Sequence, residues 1–76
     1  MHTRLNRVFQ QAFGVSQVDD SMSFLNVAGW DSMAHVALML ALEREFGVSI
    51  SPAAALDLTD VAAIQRFLIE RGVSEQ

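Results

Sequence analysis

The stretch Gly29-Trp30-Asp31-Ser32-Met33-Ala34-His35-Val36-Ala37-Leu38-Met39-Leu40-Ala41-Leu42-Glu43-Arg44-Glu45-Phe46-Gly47-Val48-Ser49-Ile50 decides how the chain is read. Its composition is helical, and Gly47 is a natural C-terminal stop. Yet between Met33 and Leu42 only His35 is polar. A helix in a small soluble protein ordinarily keeps one face for water. Set out at about 100° per residue, Leu38, Met39, Leu42 and Phe46 share one face, with Val36 at its edge. Ala34, Ala37, Leu40 and Ala41 occupy the other side. The second helix, from Ser32 to Phe46, therefore has two apolar faces, of which the first is the predicted core face.

The rest of the chain supplies partners for that face. Leu5, Val8, Phe9, Ala12 and Phe13 repeat at helical spacing, so a first helix is expected from Arg4 to Phe13, capped by Thr3 and ended by Gly14. The 17 residues from Val15 to Asp31 hold neither period and read as a loop. Val18, Met22, Phe24 and Leu25 are expected to pin it to the core, with Phe24 as the buried anchor. Ser51-Pro52 reads as a cap and a first helical residue, opening a short third helix over Ala53 to Leu56. A last helix follows Thr59 or Asp60, buries Val61, Ile64, Phe67 and Leu68, and ends at Gly72. No run alternates with period two. The expected fold is all-α, a small four-helix bundle of three main helices plus a short third helix, with a long loop between helices one and two.

Bulk properties exclude several classes. The 76 residues admit one domain, spanning 1–76. Hydrophobic residues at 51% and charged residues at 18% argue against disorder. There is no cysteine, hence no thiolate metal site and no cysteine nucleophile. The longest apolar run, Val36 to Leu42, has seven residues, against about 20 for a membrane span. The start is polar and lacks the apolar block of a signal peptide, so the expectation is a cytoplasmic monomer with no membrane partner. Net charge is −4, and Asp19 to Asp60 carry seven acids against one base. No basic stripe serves nucleic acid; an acidic middle suits partners with basic patches.

Chemistry converges on Ser32. Ser32 and His35 lie on neighbouring turns and could form a minimal hydrolytic dyad, although no oxyanion loop accompanies them. Neither His2 nor His35 has metal-ligand spacing, and no glycine-rich phosphate loop is present. Ser32 could also be only a helix cap in an unmodified interaction module. A third reading starts from the helix end itself. Free N–H groups and the helix dipole favour a phosphate there, so a phosphate ester on Ser32 is electrostatically well placed.

These residues resemble the acyl carrier protein family, including the related peptidyl carrier domains. The family's Gly-x-Asp-Ser-Leu motif stands here as Gly29-Trp30-Asp31-Ser32-Met33. The helix ending Ala41-Leu42-Glu43-Arg44-Glu45-Phe46, the segment Val48-Ser49-Ile50, the pair Ser23-Phe24 and the helix Thr59 to Leu68 extend the likeness over nearly the whole chain. The resemblance implies that Ser32 accepts 4′-phosphopantetheine from coenzyme A, with base and Mg²⁺ supplied by a phosphopantetheinyl transferase. It implies a carrier, not an enzyme, holding acyl or aminoacyl groups as thioesters. The implied partners are that transferase, an acyl- or aminoacyl-loading enzyme, and synthase or transferase enzymes. The second apolar face becomes a docking strip of Trp30, Met33, Ala37 and Leu40, with Glu43 and Glu45 as charged guides. Asp31 either caps the second helix or contacts metal or transferase during loading, and the two roles are compatible. Met33 replaces the family's leucine, and Ala34 and Ala37 stand where acids are common. Those departures, with Asn26-Val27-Ala28 before the motif, point to a polyketide, nonribosomal peptide or related specialised pathway. Val36, Ile50 and Ala53 to Leu56 could border a pocket for the carried chain, or the alanines could simply allow close packing.

Overall fold

Helix boundaries fall where side chains supply the partners that a helix end lacks. The computed structural model describes residues 3–73, so His2 lies outside it. Four helices follow in order: α1 (Thr3–Phe13), α2 (Ser32–Phe46), α3 (Pro52–Asp57) and α4 (Val61–Glu70). Asp31, Ser51 and Asp60 each turn a side-chain oxygen onto the N–H three residues ahead, at 2.9, 3.1 and 2.7 Å. Each such cap contributes about 1 kcal/mol. Gly47 closes α2 at φ 65°, donating its N–H to the Glu43 carbonyl; a side chain there would be strained. Thr3, expected as a cap, is instead the first helical residue of α1. Among the described residues there is no strand, only an isolated antiparallel bridge between Ser23 and Asp60.

The core forms where three helix stripes meet. Leu5, Val8 and Phe9 of α1 face Leu38, Met39, Leu42 and Phe46 of α2, and Val61, Ile64, Phe67 and Leu68 of α4 close the cluster. The spacing of these residues predicts their burial, because one face of each helix must leave water together. Val36 does not join them and is exposed. The α3 helix buries no residue completely; only Ala54 and Ala55 lean on the core, with Leu58 buried just beyond its end. Arg4 ties α1 to the end of α2: its Nε lies 3.0 Å from the Glu45 carboxylate, and its guanidinium sits 4.6 Å over the Phe46 ring.

The long loop is held mostly through its backbone. Val18 N–H donates to Asn6 Oδ1 at 2.8 Å. Phe24 N–H donates to the Thr59 carbonyl at 2.8 Å, and Val61 N–H donates to the Met22 carbonyl at 3.0 Å. Asn26 braces the turn between them, accepting from Ser23 N–H at 2.9 Å and donating to the Ser21 carbonyl at 2.7 Å. Ahead of it, the Ser21 hydroxyl and N–H donate to the exposed Asp19 carboxylate and hold its pKa below the ordinary value.

This backbone anchoring corrects two expectations. Val18 is buried and Met22 half-buried as anticipated, but Phe24 is 41% exposed and Leu25 91% exposed. The aromatic anchor of the loop is Trp30, 3% exposed. Its ring stacks on Phe13 at 5.4 Å between centroids and meets Phe9 edge-on at 5.6 Å. Gly29, at φ 87°, makes the turn that delivers the indole there. Phe24 instead lies beside Thr59, where it lines a cleft with Ser32, His35 and Leu56.

Replacing Trp30 by Ala is expected to cost about 3–5 kcal/mol in urea denaturation, the range for a deleted core aromatic. Leu40→Ala, on the open side of α2, is expected to stay within about 0.5 kcal/mol of the parent chain.

Candidate functional site

Asp31 and Ser32 divide the start of α2 between them. Asp31 has extended backbone and caps the helix through Oδ1. Ser32 is the first helical residue, exposed, and no cap bond occupies its hydroxyl. The reading of Ser32 as the cap is therefore overturned, because Asp31 fills that role. The first intrahelical bond runs from His35 N–H to the Asp31 carbonyl at 2.8 Å. The N–H groups of Ser32 and Met33 consequently have no partner inside the helix. A hydroxyl is thus displayed at the positively polarised end of a 15-residue helix.

His35 is engaged elsewhere. Trp30 Nε1–H donates to His35 Nδ1 at 3.0 Å, and His35 Nε2 lies 2.8 Å from the Ala55 carbonyl. An indole nitrogen can only donate and a carbonyl can only accept, so the imidazole carries its proton on Nε2. Both ring nitrogens are occupied, and neither is left to take a proton from Ser32. The hydrolytic dyad is not formed. The described residues also contain no group of three or more His, Asp or Glu placed to hold a metal.

Two apolar recesses open along α2, the first of them at this helix end. A cleft of about 330 Å³ is lined by Phe24, Ser32, His35, Leu56 and Thr59. A second groove of about 370 Å³ runs between α2 and α3, with Val36, Leu40, Ile50, Pro52 and Leu56 in its walls. It stands where Val36, Ile50 and the alanine run pointed, as an open groove rather than a closed cavity. Leu56 borders both recesses.

The anticipated docking strip is only partly present. Met33 is 84% exposed and Leu40 51% exposed, and Ala37 is open to solvent between them. Trp30 is not on the strip; it belongs to the core. The two anticipated charged guides are half-buried and engaged within the chain. Glu43 accepts the Ile50 N–H at 2.7 Å, and Glu45 pairs with Arg4 at 3.0 Å and Arg7 at 3.5 Å. Val36 and Leu56, both exposed, take their place beside the strip. Their exposure follows from the position of α3, which helical periodicity within α2 does not report. No described helix is long and apolar enough to cross a membrane.

Asp31→Ala is expected to lower stability by about 1 kcal/mol through loss of the cap, whereas Asp31→Asn, which keeps an accepting oxygen, should hold the parent melting temperature.

The comparisons with known proteins agree with this geometry. A family model described as a phosphopantetheine attachment site matches residues 3–68. Acyl carrier proteins of Rhodopseudomonas palustris (strain TIE-1) and of Nitrobacter winogradskyi are each 36% identical over 67 residues, covering 86% of this chain and 85% of the relative. The chain belongs to the acyl carrier protein family: it is a carrier protein rather than an enzyme, and its prosthetic group is 4′-phosphopantetheine.

Proposed function

We propose that Ser32 is the attachment residue, and that residues 1–76 act as one carrier domain presenting acyl or aminoacyl groups to biosynthetic enzymes. The observation that carries this is the free, exposed Ser32 hydroxyl one residue past the capping Asp31. When bound, the prosthetic group supplies the thiol that a cysteine-free chain lacks, and that thiol holds the cargo as a thioester.

Ser32 contributes the nucleophilic oxygen during loading, and the free N–H groups of Ser32 and Met33 favour the phosphate that is then bonded to it. Asp31 keeps that helix end in shape and presents its remaining carboxylate oxygen to the loading enzyme. The proton of Ser32 passes to a base on the transferase, since both nitrogens of His35 are already bonded. Partners dock on Met33, Ala37 and Leu40, with Val36 and Leu56 beside them.

The partners are a phosphopantetheinyl transferase, a loading enzyme, and synthases or transferases. Apolar contact dominates this surface, because Glu43 and Glu45 are engaged inside the fold. That balance, with Ala34 and Ala37 on the helix, favours a specialised polyketide, nonribosomal peptide or related pathway over housekeeping fatty acid synthesis.

Incubation with coenzyme A and a broad-specificity transferase should add one phosphopantetheine by intact-protein mass spectrometry, and Ser32→Ala should abolish the gain. A modification that persists in Ser32→Ala would sink the assignment. Asp31→Asn is expected to slow loading roughly tenfold, the cost of one charge-assisted hydrogen bond, at an unchanged melting temperature. Leu40→Ala should weaken turnover by a partner enzyme while leaving the circular dichroism of the domain as it was.

A further inference from the structure

The α3 helix is the least anchored element of the fold. It has six residues and none of them is fully buried. Burial therefore holds it less firmly than it holds α1, α2 and α4. Side-chain hydrogen bonds do the rest. Upstream, the Glu43 carboxylate fixes Ile50 N–H at 2.7 Å, and Ser51 caps the first turn. Towards its end, the carbonyl of Ala55 receives His35 Nε2–H at 2.8 Å. That imidazole is itself held on its other edge by the indole N–H of Trp30 at 3.0 Å, with the two rings near-parallel. Trp30 is in turn wedged against Phe9 and Phe13. A continuous set of contacts therefore runs from the α1 core through the residue two before Ser32 and into α3.

We propose that His35 is a positioning residue: a latch that ties α3 to the buried indole and thereby sets the outer wall of two apolar recesses along α2, one of which includes Ser32. Leu56 follows Ala55 and lines both recesses, so the latch fixes how far that wall stands from α2. The imidazole suits the task because it offers an acceptor to one neighbour and a donor to the other from a single rigid ring. An apolar residue at position 35 would leave the Trp30 N–H, on a buried indole, without a partner, and buried donors are costly to orphan. The bearing of the latch on a carried group rests on Ser32 being the attachment residue. The latch itself does not, and it is measurable in the unmodified chain.

The test is amide hydrogen exchange by NMR on the unmodified protein and three variants. His35→Phe keeps an aromatic ring beside Trp30 but neither hydrogen bond, His35→Ala removes both ring and bonds, and His35→Gln retains one donor and one acceptor. In His35→Phe and His35→Ala, the amides of Ala55, Leu56 and Leu58 are expected to exchange about tenfold faster, the worth of one buried hydrogen bond, while α1 and α4 keep their protection. The Trp30 indole N–H resonance should shift upfield in both. In His35→Gln, exchange in α3 should return to within about threefold of the parent, since one donor and one acceptor remain. Unchanged α3 exchange in His35→Phe would overturn the proposal. So would acceleration spread equally over α1 and α4, or a His35→Gln chain as loose as His35→Phe. Loading at Ser32 is read separately by mass, so failure of the latch and failure of the attachment assignment are distinguishable.

Discussion

The structure hangs on one buried indole. Trp30 leaves a loop, enters the space beside Phe9 and Phe13, and stops there with its N–H on His35. It ends the long connection from α1, sets Asp31 in the extended conformation that caps α2, and brings the next residue out to solvent with its hydroxyl uncommitted. Burying an aromatic ring is among the larger single contributions a small core can make. In a chain of 76 residues such an anchor weighs heavily, since small domains bury a limited fraction of their surface.

The two apolar faces of α2 follow from two separate demands. One face meets α1 and α4 and is dry. The other carries Met33, Ala37 and Leu40 into solvent, where charge would ordinarily stand. The charge α2 does possess is clustered at its C-terminal end, where Arg44 is exposed and the two half-buried acids are engaged, Glu43 by the backbone before α3 and Glu45 by Arg4 and Arg7. Those acids hold elements together, and the open face is left apolar beside a groove of similar character. A patch of this kind on a small protein is characteristic of an interaction surface.

Chemistry at the helix end is divided between this chain and its partners. On the proposed attachment at Ser32, the chain contributes a nucleophilic oxygen at a favourable electrostatic position, where free backbone donors suit a phosphate ester. Its nearest imidazole is committed to structure on both nitrogens, so proton removal falls to another protein.

The amino-acid sequence by itself determined the four helices, the Ser51 cap and most of the core, but it put the cap of α1 at Thr3, which is helical, and left the caps of α2 and α4 open between neighbouring residues. Hydrophobic spacing placed Val61, Ile64, Phe67 and Leu68 inside, and the short-range chemistry of Ser51-Pro52 and of Asp31 gave the helix starts, since both depend on residues within one turn of each other. The Gly29 to Met33 motif pointed to Ser32 through its resemblance to the acyl carrier protein family. Tertiary structure decided what depends on distance across the fold: that Trp30 rather than Phe24 enters the core, that Glu43 and Glu45 are engaged within the chain, that Val36 is left open, and that His35 bridges Trp30 to α3. Periodicity within one helix records which side chains share a face, but not which neighbour covers that face. A loop without a period does not record which of its aromatic residues meets the core, and only the assembled helices decide it.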